Sequence, residues 1–192
     1  MDLKAQFLRN LEHSREVTAN LEELSEPLVE AAELISGTLK KGGKILTCGN
    51  GGSAADAMHF SSELVGRYRS DRIALPAICL NSNGGDLTCI VNDYGYESVF
   101  ARQVEAFGNE GDILVVFSTS GKSPNVLRAL YKARSMGMKR IAFLGKNGGE
   151  AKGTADIEMI VSSYDGPRIQ ESHTLLLHTV CDYLEETMAV GS

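Results

Sequence analysis

Three things are scarce in this 192-residue chain, and each scarcity closes off a class of function. Long apolar runs come first. None reaches the roughly 18 residues that cross a bilayer as a helix, so a spanning helix is excluded. The opening stretch MDLKAQFLRNLEHSRE is charged and amphipathic where a secretion signal is apolar, and the chain is expected to work in the cytosol. Positive charge is the second. Lys and Arg total 19 against 25 Asp and Glu, a formal charge of -6. No basic run is present to follow a phosphodiester backbone, which argues against nucleic acid as a partner. Paired cysteines are the third: Cys48, Cys79, Cys89 and Cys181 are scattered, with no CxxC, and read as reduced, mostly packed thiols.

What is present is enough apolar material, 43% of the residues, to bury one sizeable core, so a single domain over 1–192 is expected. Residues 2 to about 40 carry two helical patterns broken near Ser25-Glu26-Pro27, with Leu28, Ala31, Ala32, Ile35 and Leu39 at helical spacing. Short apolar runs follow at 44–48, 75–80, 112–118, 140–145 and 157–161, alternating with helical stretches. Strands apolar on both faces, separated by helices, predict a parallel sheet covered on each side, a three-layer α/β fold preceded by N-terminal helices. Ligands of such sheets sit beyond the carboxyl ends of the strands, which makes the loops after Cys48, Leu80 and Phe117 the candidate site. A last helix over 167–188 presents Ile169, Leu176, Val180 and Tyr183 or Leu184 as one stripe. Leu175 and Leu177 widen it as burial between subunits requires, and the N-terminal helices show no obvious partner within the chain.

Two small-residue turns lie at those strand ends. Gly49-Asn50-Gly51-Gly52-Ser53-Ala54 fits the GxGxxA dinucleotide pattern, but the second strand runs into Asn81-Ser82-Asn83 and lacks the acid that holds a ribose. Residues 118–123, STSGKS, contain the GKS of a P-loop, yet the glycine required five positions earlier is Val116. What remains is Ser118, Thr119, Ser120 and Ser123 ahead of Pro124, a set of hydroxyls at a helix start suited to an anion. Ser53 and Ser123, each taken alone, read as helix caps. Capping requires one hydroxyl, and four in six residues point to a monophosphate.

With CGNGGSAADAMHFSSELVGRYR at 48–69, VNDYGYE at 91–97, GDILVVFSTSGKSPNV at 111–126, GTADIE at 153–158 and RIQESHTLLLH at 168–178, the chain resembles the sugar isomerase (SIS) domain family, specifically the phosphoheptose isomerases. The match runs in order over nearly the whole chain. The serine loop marks the broad family, and HFxxEL followed by RIQExH and a second histidine is narrower. The resemblance implies a flavodoxin-like α/β/α fold, a homotetramer with sites between subunits, and one zinc ion per subunit. Its metal ligands fall on His59, Glu63, Gln170 and His178. Its sugar-phosphate contacts fall on Asn50, Gly51, Gly52, Ser53, Asn92, Asp93, Ser118, Thr119, Ser120, Ser123 and Gln170, with Arg67 close by. The implied reaction is the aldose–ketose conversion of sedoheptulose 7-phosphate to D-glycero-D-manno-heptose 7-phosphate, at the start of heptose synthesis for lipopolysaccharide or other surface glycans. Some members carry an acid directly before RIQE, and here Pro167 stands there.

The residues can be weighed for that chemistry. His59 and Glu63, at i and i+4, share one helical face and can share a divalent ion, although an isolated HxxxE more often makes an ordinary ion pair. Gln170 and His178 are separated by about 12 Å of rise and about 80° of rotation in a continuous helix. Either the helix is irregular near Pro167, or the two serve different subunits. His173 reads as a capping or core histidine, outside the metal shell. Moving a proton between adjacent carbons requires a base, an acid and a group that polarises the carbonyl, and Glu63, His178 and a metal meet those needs. A carboxylate bound tightly to the metal is a poor base, so Glu63 either loosens during turnover or serves chiefly as ligand while His178 moves the proton. Two other readings compete: a non-catalytic interaction protein like the family's initiator-associating branch, and a sugar-phosphate-sensing regulator. Glu63 and His178 discriminate in favour of catalysis.

Overall fold

The computed structural model describes residues 2–188. Strands β1 (Ile45–Gly49), β2 (Ala77–Cys79), β3 (Ile113–Ser118), β4 (Lys139–Gly145) and β5 (Ile157–Val161) form one sheet in the order β2-β1-β3-β4-β5. Every pairing is parallel. Each strand lies within a residue or two of an apolar run read from the sequence.

Alternation along the strands explains why the sheet must be covered twice. Ile113, Val115 and Phe117 of β3 enter one apolar cluster, with Ile141 and Phe143 of β4 beside them. Leu114 and Val116 enter the other, with Ala142 and Leu144. Full burial of each such aliphatic or aromatic side chain contributes roughly 1.5–3 kcal/mol, so neither face can be left to water. Helices α2 (Ser25–Lys40), α3 (Gly52–Val65) and α7 (Gly166–Met188) close the first face, while α5 (Val99–Phe107) and α6 (Pro124–Ser135) close the second. Helix α4 (Gly84–Tyr94) lies against the second cluster through Leu87 and Ile90, both only half-buried. The expected three-layer α/β/α architecture is the one found.

At the amino-terminal edge Asp112 holds β1 and β3 in register, its Oδ1 accepting the Lys44 N–H at 2.9 Å and its Oδ2 the Asn109 N–H at 2.8 Å. At the carboxyl edge the Asn81 side chain does the same for the end of β1. Its Oδ1 accepts the Gly49 N–H at 3.1 Å and its Nδ2 donates to the Gly49 carbonyl at 2.9 Å. Asn81 is thus spent on backbone, where a dinucleotide fold would place a ribose-binding acid.

The N-terminal helices depart from expectation. Helix α1 (Leu3–Ala19) gives way to a short 3-10 segment, Asn20–Leu24, ahead of the predicted break, and Pro27 sits in the first turn of α2, where a missing N–H costs nothing. These helices do have a partner within the chain. Ala31, Ala32, Ile35 and Leu39 of α2 are buried in the cluster that also takes Leu177, Val180 and Leu184 of α7. Leu177 is therefore packed inside the chain instead of widening a subunit-facing stripe, while Leu175 is half exposed. Helix α1 buries Val17 alone, and is tied to the start of α7 by Arg168, which donates to the Asn10 carbonyl at 2.7 Å.

His173 is fully buried on α7 against Phe117 and Phe143, with its Nε2 3.0 Å from the Leu144 carbonyl and its Nδ1 unpartnered. It is a core histidine. Burial pushes its pKa down from 6.5 to about 4, opposed by the Leu144 carbonyl. The unfolded chain takes up a proton below pH 6.5 that the folded chain refuses until about pH 4, so stability falls as pH drops through that window. The loss reaches roughly 3 kcal/mol. His173→Gln is expected to flatten the decline of urea-unfolding free energy between pH 7 and pH 4.5; an unchanged slope would place the acid sensitivity elsewhere.

Candidate active site

In this strand order the switch point lies between β1 and β3, and the loops leaving those two strands meet there. They form a pocket of about 80 Å³ lined by Asn50, Ser53, Ser118, Thr119, Ser120 and Ser123. The helices that follow, α3 and α6, both begin at its wall, so their positive ends face the space. No carboxylate lines it. Ser118 Oγ accepts the Gly121 N–H at 3.1 Å and Ser120 Oγ accepts the Lys122 N–H at 3.2 Å. Those two backbone donors are consumed within the loop, but each hydroxyl that accepts them keeps its own proton to donate. Gly121, at φ 60° and pressed on the Gly148 carbonyl, is the residue that lets this loop turn.

The capping role of two serines is corrected. Ser123 occupies the N-cap position of α6 with no side-chain cap bond, and α3 is entered through Gly51, also without one. The hydroxyls of Ser53 and Ser123 make no hydrogen bond among the described residues and line the pocket instead.

Helix α3 then runs beside α7 in a four-residue register. Gly52 faces Gln170, Asp56 faces Thr174, and the pair His59 and Glu63 faces His178. The Gln170 carboxamide lies in the space a Cβ on Gly52 would take, so a larger residue there would make that side chain turn away. On the middle rung, Asp56 Oδ1 accepts from Thr174 Oγ1 at 3.1 Å while Oδ2 is buried without a partner. Burial raises the Asp56 carboxyl to about 6, opposed by the Thr174 hydroxyl and by His59.

On the last rung His59 Nε2 stands 3.0 Å from Glu63 Oε1 and 3.3 Å from His178 Nε2. One ligand atom of each residue lies within 4.8 Å of the others. Ligands of a tetrahedral cation bound at about 2.0–2.1 Å stand about 3.3 Å apart, so this spacing fits a divalent metal. The His178 ring packs edge-on to His59 at 4.8 Å and against Tyr68 at 5.3 Å. Burial first, and then His59, hold the His178 imidazole below its ordinary range, while Glu63 and Asp182 push it back up.

The other sequence-derived residues are spread around this core. Helix α7 is continuous from Gly166, with Pro167 in its first turn. Gln170 accordingly lies at the pocket end of the ladder, away from the His59–Glu63–His178 cluster of the same chain. Gly51 caps α3 at φ 58°. Arg67 is exposed in the loop after α3, and Asn92 and Asp93 are exposed on α4, outside the serine pocket, with Asn92 Nδ2 donating to Asp93 Oδ1 at 2.7 Å. Sequence reasoning missed Asp56 and Thr174, whose i+4 spacing to the flanking site residues was the available signal. It also missed Asn125 and Tyr96, which bond to Asn50.

The SIS domain family pattern matches residues 7–145. The phosphoheptose isomerase of Helicobacter pylori strain P12 is 51% identical over 179 residues, 93% of this chain and 93% of that protein. The solved phosphoheptose isomerase of Francisella tularensis superimposes with a TM-score of 0.93 at 37% identity, over 97% of this chain and 100% of that one. The Neisseria gonorrhoeae phosphoheptose isomerase gives 0.90 at 42%, over 96% and 99%.

Because its hydroxyl lines the pocket and caps nothing, Ser123→Ala is expected to weaken inorganic phosphate binding about fivefold by calorimetry. It should shift urea-unfolding stability by no more than about 0.5 kcal/mol. A loss of about 1 kcal/mol with phosphate affinity intact would make Ser123 a cap after all.

Proposed function

Since this chain belongs to the SIS-domain family and, within it, to the phosphoheptose isomerases, we propose that it converts sedoheptulose 7-phosphate to D-glycero-D-manno-heptose 7-phosphate. The proposed setting is the cytosol, at the start of heptose supply for lipopolysaccharide or other surface glycans; among the described residues no helix is long and apolar enough to cross a membrane. One observation carries the reading. An anion pocket sits at the start of α3 and a metal-ligand cluster lies further along the same helix, with Ser53 and His59 six residues apart, about 9 Å along α3. That separation suits a sugar phosphate whose reacting carbons lie far from its phosphate.

In this reading the phosphate is held by Ser53, Ser118, Thr119, Ser120 and Ser123, with Asn50, Gly51 and Gly52 at the mouth of α3. Arg67, Asn92, Asp93 and Gln170 are assigned to the sugar. His59, Glu63 and His178 would hold zinc, for which two imidazoles and a carboxylate are an ordinary donor set. Gln170, about 12 Å along α7 from His178, would reach such an ion only from a neighbouring copy. When bound, the ion would supply positive charge where the substrate carbonyl oxygen becomes negative.

The proton transfers fall to two side chains. Glu63 takes the proton from C1, and the electron pair of that C–H bond becomes the C1–C2 double bond of an enediol. His178 moves a proton from O1 to O2. Glu63 then returns its proton to C2, so the aldehyde forms at C1 and both residues end as they began. Glu63 meets His59 through Oε1, and its Oε2, which makes no hydrogen bond among the described residues, is the oxygen left for this work.

A homotetramer with sites between subunits follows from the same reading. Leu3, Phe7 and Leu8 on α1, Met58 and Val65 on α3 and Leu175 on α7 are exposed apolar side chains that a second copy would cover. Light scattering is expected to give four times the chain mass, and a monomer would remove the shared site.

Glu63→Gln and His178→Gln are each expected to fold and to bind inorganic phosphate, and to lose isomerisation by about two orders of magnitude or more with zinc in excess. Restoration of the rate by zinc would reduce the residue to a ligand. Normal turnover without added metal would remove it from the mechanism.

A further inference from the structure

Asn50 stands on the wall of the serine pocket and forms a reciprocal carboxamide pair with Asn125, a residue given no role so far. Its Oδ1 accepts from Asn125 Nδ2 at 2.9 Å and from the Tyr96 hydroxyl at 2.7 Å. Its Nδ2 donates to Asn125 Oδ1 at 2.9 Å. Asn125 Oδ1 also accepts the Val126 N–H at 3.0 Å, which fixes the oxygen end of Asn125 and, through it, the nitrogen end of Asn50. A carboxamide has two lone pairs and two N–H donors. Both lone pairs of Asn50 and one of its donors are taken. Only one N–H remains, so Asn50 can meet a ligand solely as a donor.

We propose that Asn125 and Tyr96 are positioning residues that hold Asn50 as a fixed hydrogen-bond donor to a phosphate oxygen of the substrate; this rests on the assignment of the pocket to phosphate. The two act from opposite sides. Asn125, on α6, is 1% exposed, and a bond to the Val126 N–H alone would have satisfied its oxygen without any pairing to Asn50. Tyr96 is 57% exposed and contributes little to packing. Its segment follows α4, a helix with no buried residue, and is secured from α6 by Arg128, which pairs with Glu97 and reaches the Ser98 hydroxyl at 3.4 Å. Helix α6 thus carries Ser123 at the pocket, Asn125 behind Asn50, and Arg128 on the segment that presents Tyr96.

Tyr96→Phe removes the hydroxyl and leaves the exposed ring. The variant is expected to raise KM for the sugar phosphate about fivefold and to raise the inhibition constant of inorganic phosphate by the same factor. Its kcat should stay within about twofold and its melting temperature should not move. Asn125→Asp keeps the acceptor for Val126 but loses the donor to Asn50 and adds negative charge beside the phosphate, so both constants should rise further. Unchanged constants in Tyr96→Phe would overturn the inference. So would a rise in KM with phosphate inhibition unaltered, because the Asn50 donor would then serve another part of the ligand. Ser123→Ala separates the two levels: if it too leaves phosphate inhibition unaltered, the phosphate assignment fails, whereas a weakening confined to Ser123→Ala leaves that assignment standing and sinks only the role of Tyr96.

Discussion

Helices α3 and α7 pack with a shared four-residue step, and that register decides which side chains meet. A slip of one residue would rotate Gln170, Thr174 and His178 by about 100° away from Gly52, Asp56 and the His59–Glu63 pair. The step is held at its ends and middle by different means. Gly52 lets the chains approach where Gln170 lies across α3, the Thr174 hydroxyl reaches Asp56, and His178 closes on His59. Beneath it, Ile169, Leu176 and Val180 anchor α7 in the cluster that holds Ala57, Phe60 and Leu64 of α3. The apolar face of each helix therefore sets the positions of its polar face.

The two lower rungs differ in electrostatic character. Asp56 is buried with one carboxyl oxygen unpartnered, a cost that its protonation eases. The two imidazole nitrogens of the last rung, 3.3 Å apart, can share a proton as a hydrogen bond or turn their lone pairs on a divalent cation. Around the other end of the ladder, hydroxyl donors and helix starts gather with no carboxylate to oppose an anion. The protein thus holds complementary sites, one suited to a cation and one to an anion, on the same helix α3.

Much of this was legible in the sequence, and the rest was not for physical reasons. The strands were readable because residues such as Ile113 to Phe117 are apolar on both faces, a pattern only a covered parallel sheet requires. Helical spacing paired His59 with Glu63 and showed that Gln170 and His178 cannot share a centre along one straight helix. Packing partners were harder. The stripe on α2 announced burial without saying that α7 would be its cover, so the N-terminal helices were read as unpartnered. Ser53 and Ser123 look like caps to any local rule, and only the fold shows that neither hydroxyl caps its helix and that both residues line the pocket. Asn125 and Tyr96 carry no signal of their own, since their role exists only once three distant loops meet at Asn50.

The central claim is that the anion pocket and the proton-transfer cluster serve one bound sugar phosphate. Incubating the zinc-loaded protein with sedoheptulose 7-phosphate in heavy water, and following the C1 and C2 positions by NMR, tests it directly. The account predicts deuterium entering the recovered ketose at C1 and the aldose product at C2, with both processes suppressed by inorganic phosphate. Binding of the sugar phosphate with no deuterium in either sugar would contradict it.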